Sequence, residues 1–210
     1  VLGIVENKEE VIRINYEIPR LITEAIRGKK SRVITFGTIM EKNEQLRVVN
    51  TYVKSKFQLS SYLRENVDES QYLHLLIHTL YGGQTLNKAM FLGQLLDAIK
   101  YGRKFEMSSG HQIREYHHIQ DDYVCIEKFL EKSVQGTQEI SHGEVITLRD
   151  LAIKVLLEFD AIDLLALGSL KTPTLEIYEP LGVRHEILSE VEFRSTVPSV
   201  IAYIKQQLQL

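Results

Sequence analysis

The stretch SRVITFGT, residues 31–38, decides the fold. It is short, rich in β-branched and aromatic residues, and follows a basic loop, so it reads as a buried strand ending on a hydroxyl, Thr38. Upstream, Ile14, Ile18, Leu21, Ile22, Ala25 and Ile26 recur at helical spacing and Gly28 stops the pattern. Pro19 removes a backbone donor from that helix. Downstream, residues 39–49 are polar and show no period. Tyr52, Lys56, Leu59 and Leu63 then mark a helix with Asn50 or Thr51 near its cap. YLHLLIHTLYGG, residues 72–83, predicts a second apolar strand closed by a glycine pair.

The alternation continues. Met90, Phe91, Gln94, Leu95, Ala98 and Ile99 predict a helix within 88–100, and KFEMSSG (104–110) a strand and turn. YHHIQDD leads into a helix over 121–132, and Thr147 caps a helix carrying Leu151, Val155 and Leu156. The tail from Pro198 predicts a last helix with Val200, Ile201, Ile204 and Leu208 inward. Strands alternating with helices call for an α/β fold, a parallel sheet with helices on its faces. The second half is less regular, and neither repeats nor low-complexity tracts occur.

Composition narrows the function. The chain has 210 residues, 44% hydrophobic and 25% charged, which suits a globular protein with a real core. A net charge of -3 argues against nucleic acid or an anionic membrane as partner. The single cysteine, Cys125, excludes an internal disulfide framework and fits a reducing, cytoplasmic compartment. No run of about 18 apolar residues is present, so no membrane span is expected. The opening VLGIVENKEE lacks a basic region ahead of an apolar one, so it is not a signal peptide. It starts on Val and breaks straight into a polar turn, which is expected of a chain entered partway through a longer fold.

Tyr52 and Lys56, one helical turn apart, are candidates for proton transfer. A phenol has an unperturbed pKa of about 10, and a neighbouring ammonium group favours its ionised form. The spacing alone is weak: 10 Tyr and 14 Lys in 210 positions produce roughly 0.7 such matches by chance. The seven histidines are no better as metal ligands. His117 and His118 are adjacent, so a strand would point them to opposite faces, and neither a Cys cluster nor a helical His-x-x-x-His occurs. No metal site is expected.

Four patterns nevertheless stand in a telling order: RINYEIPRLITEAI (13–26), RVITFGT (32–38), Tyr52–Lys56, and SSGHQIREYHHIQDD (108–122). This order resembles the extended short-chain dehydrogenase/reductase family, the sugar-nucleotide epimerases, dehydratases and 4-ketoreductases. There the fourth pattern typically reads Arg-Asp-Tyr-x-His-Val-x-Asp, and here it is REYHHIQD. SHGEVITLRDL (141–151) resembles a later segment of the family, Gly-x-x-x-(Ser/Thr)-(Leu/Val)-x-(Glu/Asp)-Leu.

The resemblance implies a partial Rossmann-type, doubly wound parallel sheet with a smaller α/β substrate domain. Residues 1–82 and 114–136 would form the dinucleotide-binding side, and 83–113 and 137–210 the sugar-nucleotide side. It implies NAD or NADP as cofactor, a nucleotide-sugar substrate and a homodimer. Tyr52 would be the acid/base, Thr38 a donor to the substrate oxygen, and Lys56 the holder of the nicotinamide ribose. Asn15 would lie near the cofactor, Thr79 near the sugar, and Arg114 at the diphosphate. The short spacing from Thr38 to Tyr52 looks most like the CDP-abequose synthase branch, implying reduction at C4 of a deoxysugar for surface polysaccharide. A 4-epimerase and a truncated, non-catalytic sugar-nucleotide-binding remnant are the alternatives. Glu41 in TIMEKN does not have the spacing of the Asp-Glu pair of 4,6-dehydratases. The family's Gly-x-x-Gly-x-x-Gly turn does not occur in the sequence, so the first half of the dinucleotide fold is expected to be missing and apolar faces to be uncovered.

Overall fold

The computed structural model describes residues 7–209, so the opening VLGIVE lies outside the description. The first helical stretch runs as α1 (Lys8–Ile12), a π-helical segment (Arg13–Glu17) and α2 (Ile18–Ile26). Pro19 explains the widening: it cannot donate one turn back, and the Ile18 N–H bonds the Arg13 carbonyl, five residues away. Asn15 therefore sits inside a helix. Gly28 ends the stretch at φ 73°.

The predicted strand is β1 (Val33–Thr38). Residues 39–49, which show no period, are helical in two short pieces, a 3-10 turn (Ile39–Lys42) and α3 (Glu44–Val49). Each is set by its cap: Thr38 accepts from the Met40 N–H, and Asn43 from the Leu46 N–H. A single helical turn is too brief for periodicity to register. The Tyr52–Lys56 helix is α4 (Thr51–Asn66), capped by the Asn50 side chain on the Val53 N–H at 3.1 Å.

Residues 72–83 are not one strand. β2 (Tyr72–Ile77) and β3 (Thr79–Tyr81) separate at His78 because their ladders go to different sheets. α5 (Phe91–Tyr101), β4 (Phe105–Met107), β5 (Ile113–His118) and α6 (Ile119–Glu131) follow, then β6 (Gly136–Glu139), β7 (Val145–Thr147), α7 (Leu148–Glu158), β8 (Leu165–Leu167) and α8 (Thr196–Leu208). β1, β2 and β6 form a parallel sheet in that order, β3 and β4 pair in parallel with β5 and β8, and β7 runs antiparallel to β5. The chain is thus α/β, with parallel strands joined by helical crossovers.

Of four apolar clusters among the described residues, the two largest hold these layers. Leu73 and Leu75 of β2 pack with Cys125 and Phe129 of α6 and with Leu188. Leu95 of α5, Leu151 and Val155 of α7, and Val200 and Ile204 of α8 form the other. Each such side chain contributes about 1.5–3 kcal/mol by leaving water. Among the described residues β1 lies at the edge of its sheet, and Ile34 and Phe36 on it are 37% and 45% exposed. Leu21 and Ile22 on α2 are more than half exposed, so apolar surface is open on this side of the molecule.

Candidate active site

Thr38 ends β1 opposite Ile77, the last residue of β2, so it stands at the carboxyl end of parallel strands, where open α/β sheets receive ligands. Its Oγ1 accepts from the Met40 N–H at 3.4 Å, and its own N–H donates to Glu41 Oε1 at 2.9 Å. α4 packs against β1 and against the 3-10 turn. Lys56 fastens that contact, donating from Nζ to the Phe36 carbonyl at 2.8 Å. The same Nζ lies 5.9 Å from the centre of the Tyr52 ring. Tyr52 itself packs against the cluster of Leu46, Val53 and Ile177, as Met40 does. Burial lowers the pKa of Lys56, and the charge of Glu41 works the other way. Tyr52 and Lys56 thus share one face of α4, and Lys56 ties that face to the strand that ends in Thr38.

The other candidates lie further along the molecule. Asn15 is in the π segment, whose neighbour Tyr16 packs on Leu59 and Leu63 of α4. Thr79 begins β3, in register with Tyr116 of β5, two positions beyond Arg114. Arg114 is paired: Nη2 meets Glu176 Oε2 at 2.7 Å, with both side chains only 13% exposed, and Nη1 donates to the Ile113 carbonyl.

Glu176 belongs to an irregular segment, residues 171–184, laid across this face like a strap. The Ile113 N–H donates to the Ile177 carbonyl at 2.9 Å, Lys42 Nζ donates to the Leu181 carbonyl at 3.1 Å, and the Val183 N–H donates to Glu139 Oε1 at 3.0 Å. Between the strap and the α3–α4 junction opens a cleft of about 450 Å³, with Asn50 on one wall and Lys171, Thr172 and Thr174 on the other. Neither Glu176 nor its strap carries a local sequence pattern that would single it out.

A second polar cluster is built on the same strand as Arg114. His117 places Nδ1 2.6 Å from Asp122 Oδ1 and Nε2 2.8 Å from Glu115 Oε1. Glu115 also accepts from Ser141 Oγ and from the His142 and Gly143 N–H groups. Burial opposes charge on both partners. The His117 hydrogen bond and the charges of His78, His117 and His142 outweigh it, taking Glu115 down to about 2. The bonds to Asp122 and Glu115 likewise outweigh it at His117, which is raised to about 9. His142 stacks on His117 at 4.3 Å; burial, and then the His117 charge, lower its pKa.

His78, Glu115 and His117 offer ligand atoms within 4.8 Å of one another, spacing that a metal could use. Both ring nitrogens of His117 are engaged, one by Asp122 and the other by Glu115, so the cluster ties β5 to α6 and to the turn after β6.

No protein-family model matches the sequence, and no curated protein does. Solved structures do match. A dTDP-glucose 4,6-dehydratase from Streptomyces venezuelae, with NAD bound, aligns at TM-score 0.75 and 15% identity over 95% of this chain and 67% of its own. A dTDP-4-dehydrorhamnose reductase from Bacillus anthracis, in complex with NADP, aligns at TM-score 0.72 and 16% identity over 98% of this chain and 77% of its own. A UDP-N-acetylglucosamine 4-epimerase from Methanobrevibacter ruminantium, in complex with UDP-N-acetylmuramic acid, aligns at TM-score 0.70 and 14% identity over 100% of this chain and 74% of its own. At identities this low the shared feature is the backbone, and over its described length this chain has the Rossmann-type α/β fold of those proteins.

Proposed function

We propose that this chain is an NAD(P)-dependent enzyme acting at C4 of a nucleotide-linked sugar, as a 4-ketoreductase. One observation carries the reading: a half-buried ammonium group beside the Tyr52 ring, anchored to the strand that ends in Thr38. These residues fit the nicotinamide end of a dinucleotide. Lys56 spends one donor on the Phe36 carbonyl and keeps two for hydroxyl groups such as a ribose presents. When bound, the nicotinamide ring supplies the hydride that no side chain can.

The chain's own residues move and hold the proton. Tyr52 gives its phenolic proton to the C4 oxygen as the carbonyl becomes an alcohol, and takes one back in reverse. Lys56 makes that phenol easier to ionise, since a nearby cation favours the phenolate. Thr38 already accepts from the Met40 N–H, so its hydroxyl hydrogen is left to donate to the same oxygen. Arg114, at the start of β5, grips diphosphate oxygens in its fork once Glu176 moves aside.

The test is a titration with NADH and NADPH, followed by addition of a CDP- or dTDP-linked 4-keto-6-deoxysugar. Absorbance at about 340 nm should fall with turnover. Tyr52→Phe should reduce turnover by about 100-fold or more, and Lys56→Met should weaken dinucleotide binding. A nucleotide sugar that binds without any oxidation, unaffected by either variant, would reduce the protein to a binding module. Inversion at C4 with no net oxidation would make it an epimerase.

A further inference from the structure

We propose that Glu41, set against His74, is a positioning residue for the Thr38–Tyr52–Lys56 group; this rests on the reading of that group given above. Glu41 is 3% exposed and His74 0%. Glu41 Oε1 takes the Thr38 N–H at 2.9 Å, while Oε2 faces His74 Nε2 at 3.7 Å. Neither Oε2 nor Nε2 has a hydrogen-bond partner among the described residues. The other ring nitrogen of His74 is held by Thr35 Oγ1 at 2.7 Å.

Two buried polar atoms left facing each other are costly, and native interiors keep few of them. An apolar pair would close this space between β1 and β2 more simply, since Leu73, Leu75 and Leu76 already fill the rest of β2. The strand also yields space for the pair. A Cβ added at Gly37 would come within 3.0 Å of Glu41 Oε1, His74 Nε2 and Leu76 Cδ2. A device held at such expense beneath one strand end points to that strand end as its purpose.

Two elements present groups to the Glu41 carboxylate, β1 its Thr38 N–H and β2 the His74 ring, and the Lys56 ammonium of α4 lies near enough to feel its charge. Glu41 thus fixes the backbone from which the Thr38 hydroxyl is aimed. It also supplies negative charge that opposes the loss of the Lys56 proton on burial. His74, braced by Thr35, keeps the carboxylate from turning away.

Glu41→Gln keeps an acceptor for the Thr38 N–H and removes only the charge. Reductively ¹³C-methylated protein, with the Lys56 signal assigned by its loss in Lys56→Arg, reports the Lys56 titration without any turnover. The Lys56 midpoint should fall by about one pH unit in Glu41→Gln and be restored in Glu41→Asp. The kcat for the proposed reduction should fall roughly 10-fold with KM and dinucleotide affinity little changed, and the pH profile should move with the midpoint. Should Glu41→Gln not fold, Glu41→Met removes the same charge in an apolar isostere and is expected to lower the midpoint likewise. A lowered Tm with an unmoved Lys56 midpoint would reduce Glu41 to a turn cap and overturn the inference. If instead Tyr52→Phe leaves turnover intact while Glu41→Gln still moves Lys56, the reading of the site fails and the coupling stands.

Discussion

Gly37 interrupts an otherwise β-branched and aromatic strand, giving up side-chain packing that a strand normally uses. The Glu41–His74 pair occupies the space its side chain would need. Gly37→Ala is therefore expected to destabilise the fold by about 1–3 kcal/mol, read from urea unfolding, because neither buried polar group has anywhere to go. An unchanged midpoint would mean that the pair is not seated there. At this scale the sequence says much about Thr38, Tyr52 and Lys56, since a strand end and one turn of helix are local features. It says less about His74. A histidine inside the apolar run YLHLLI signals a buried polar partner, but the contact with Thr35 spans 39 positions and has no local pattern.

Among elements, the strap over residues 171–184 matters most to ligand entry. Its Glu176 carboxylate holds Arg114 through one guanidinium nitrogen, Nη2, a donor that a phosphate oxygen could otherwise take. In the proposed function an incoming nucleoside diphosphate has to displace that carboxylate. Glu176→Gln should then bind UDP or CDP about 5–10-fold more tightly by calorimetry, a change of about 1 kcal/mol. Affinity unchanged by Glu176→Gln and by Arg114→Lys alike would make the pair a structural tie. Helices α4 to α8 are legible because each has a cap or an amphipathic face of three turns or so. The strands β6, β7 and β8 are three or four residues long, too short for alternation to show. The break at His78 is hidden because the run stays largely apolar before His78 and after Thr79, and only the pairing partners of β2 and β3 divide it.

For the whole molecule, the cluster around His117 is the contact that reaches furthest. Glu115 and His117 lie on β5, Asp122 on α6, and Ser141, His142 and Gly143 follow β6, while His78 links the two sheets and approaches both Glu115 and Glu139. The pH dependence of stability should report it. His117 binds its proton more tightly when folded, to about 9 against an ordinary 6.5, so its contribution is complete below about 6.5 and is lost as pH rises through about 9. Glu115 is shifted the opposite way, to about 2 against 4.5, so its contribution is complete above about 4.5 and is lost as pH falls through about 2. Both are fully present only between those ordinary values, and thermal denaturation should show its highest Tm for this cluster from about pH 4.5 to 6.5. Between pH 7 and 9.5 the Tm should fall by about 5 °C or more from this source. His117→Gln should begin from a lower Tm near pH 6 and lose most of that alkaline slope. An equal slope in the variant and the parent would show that His117 carries no extra proton in the folded chain, and that the bonds to Glu115 and Asp122 hold a neutral ring.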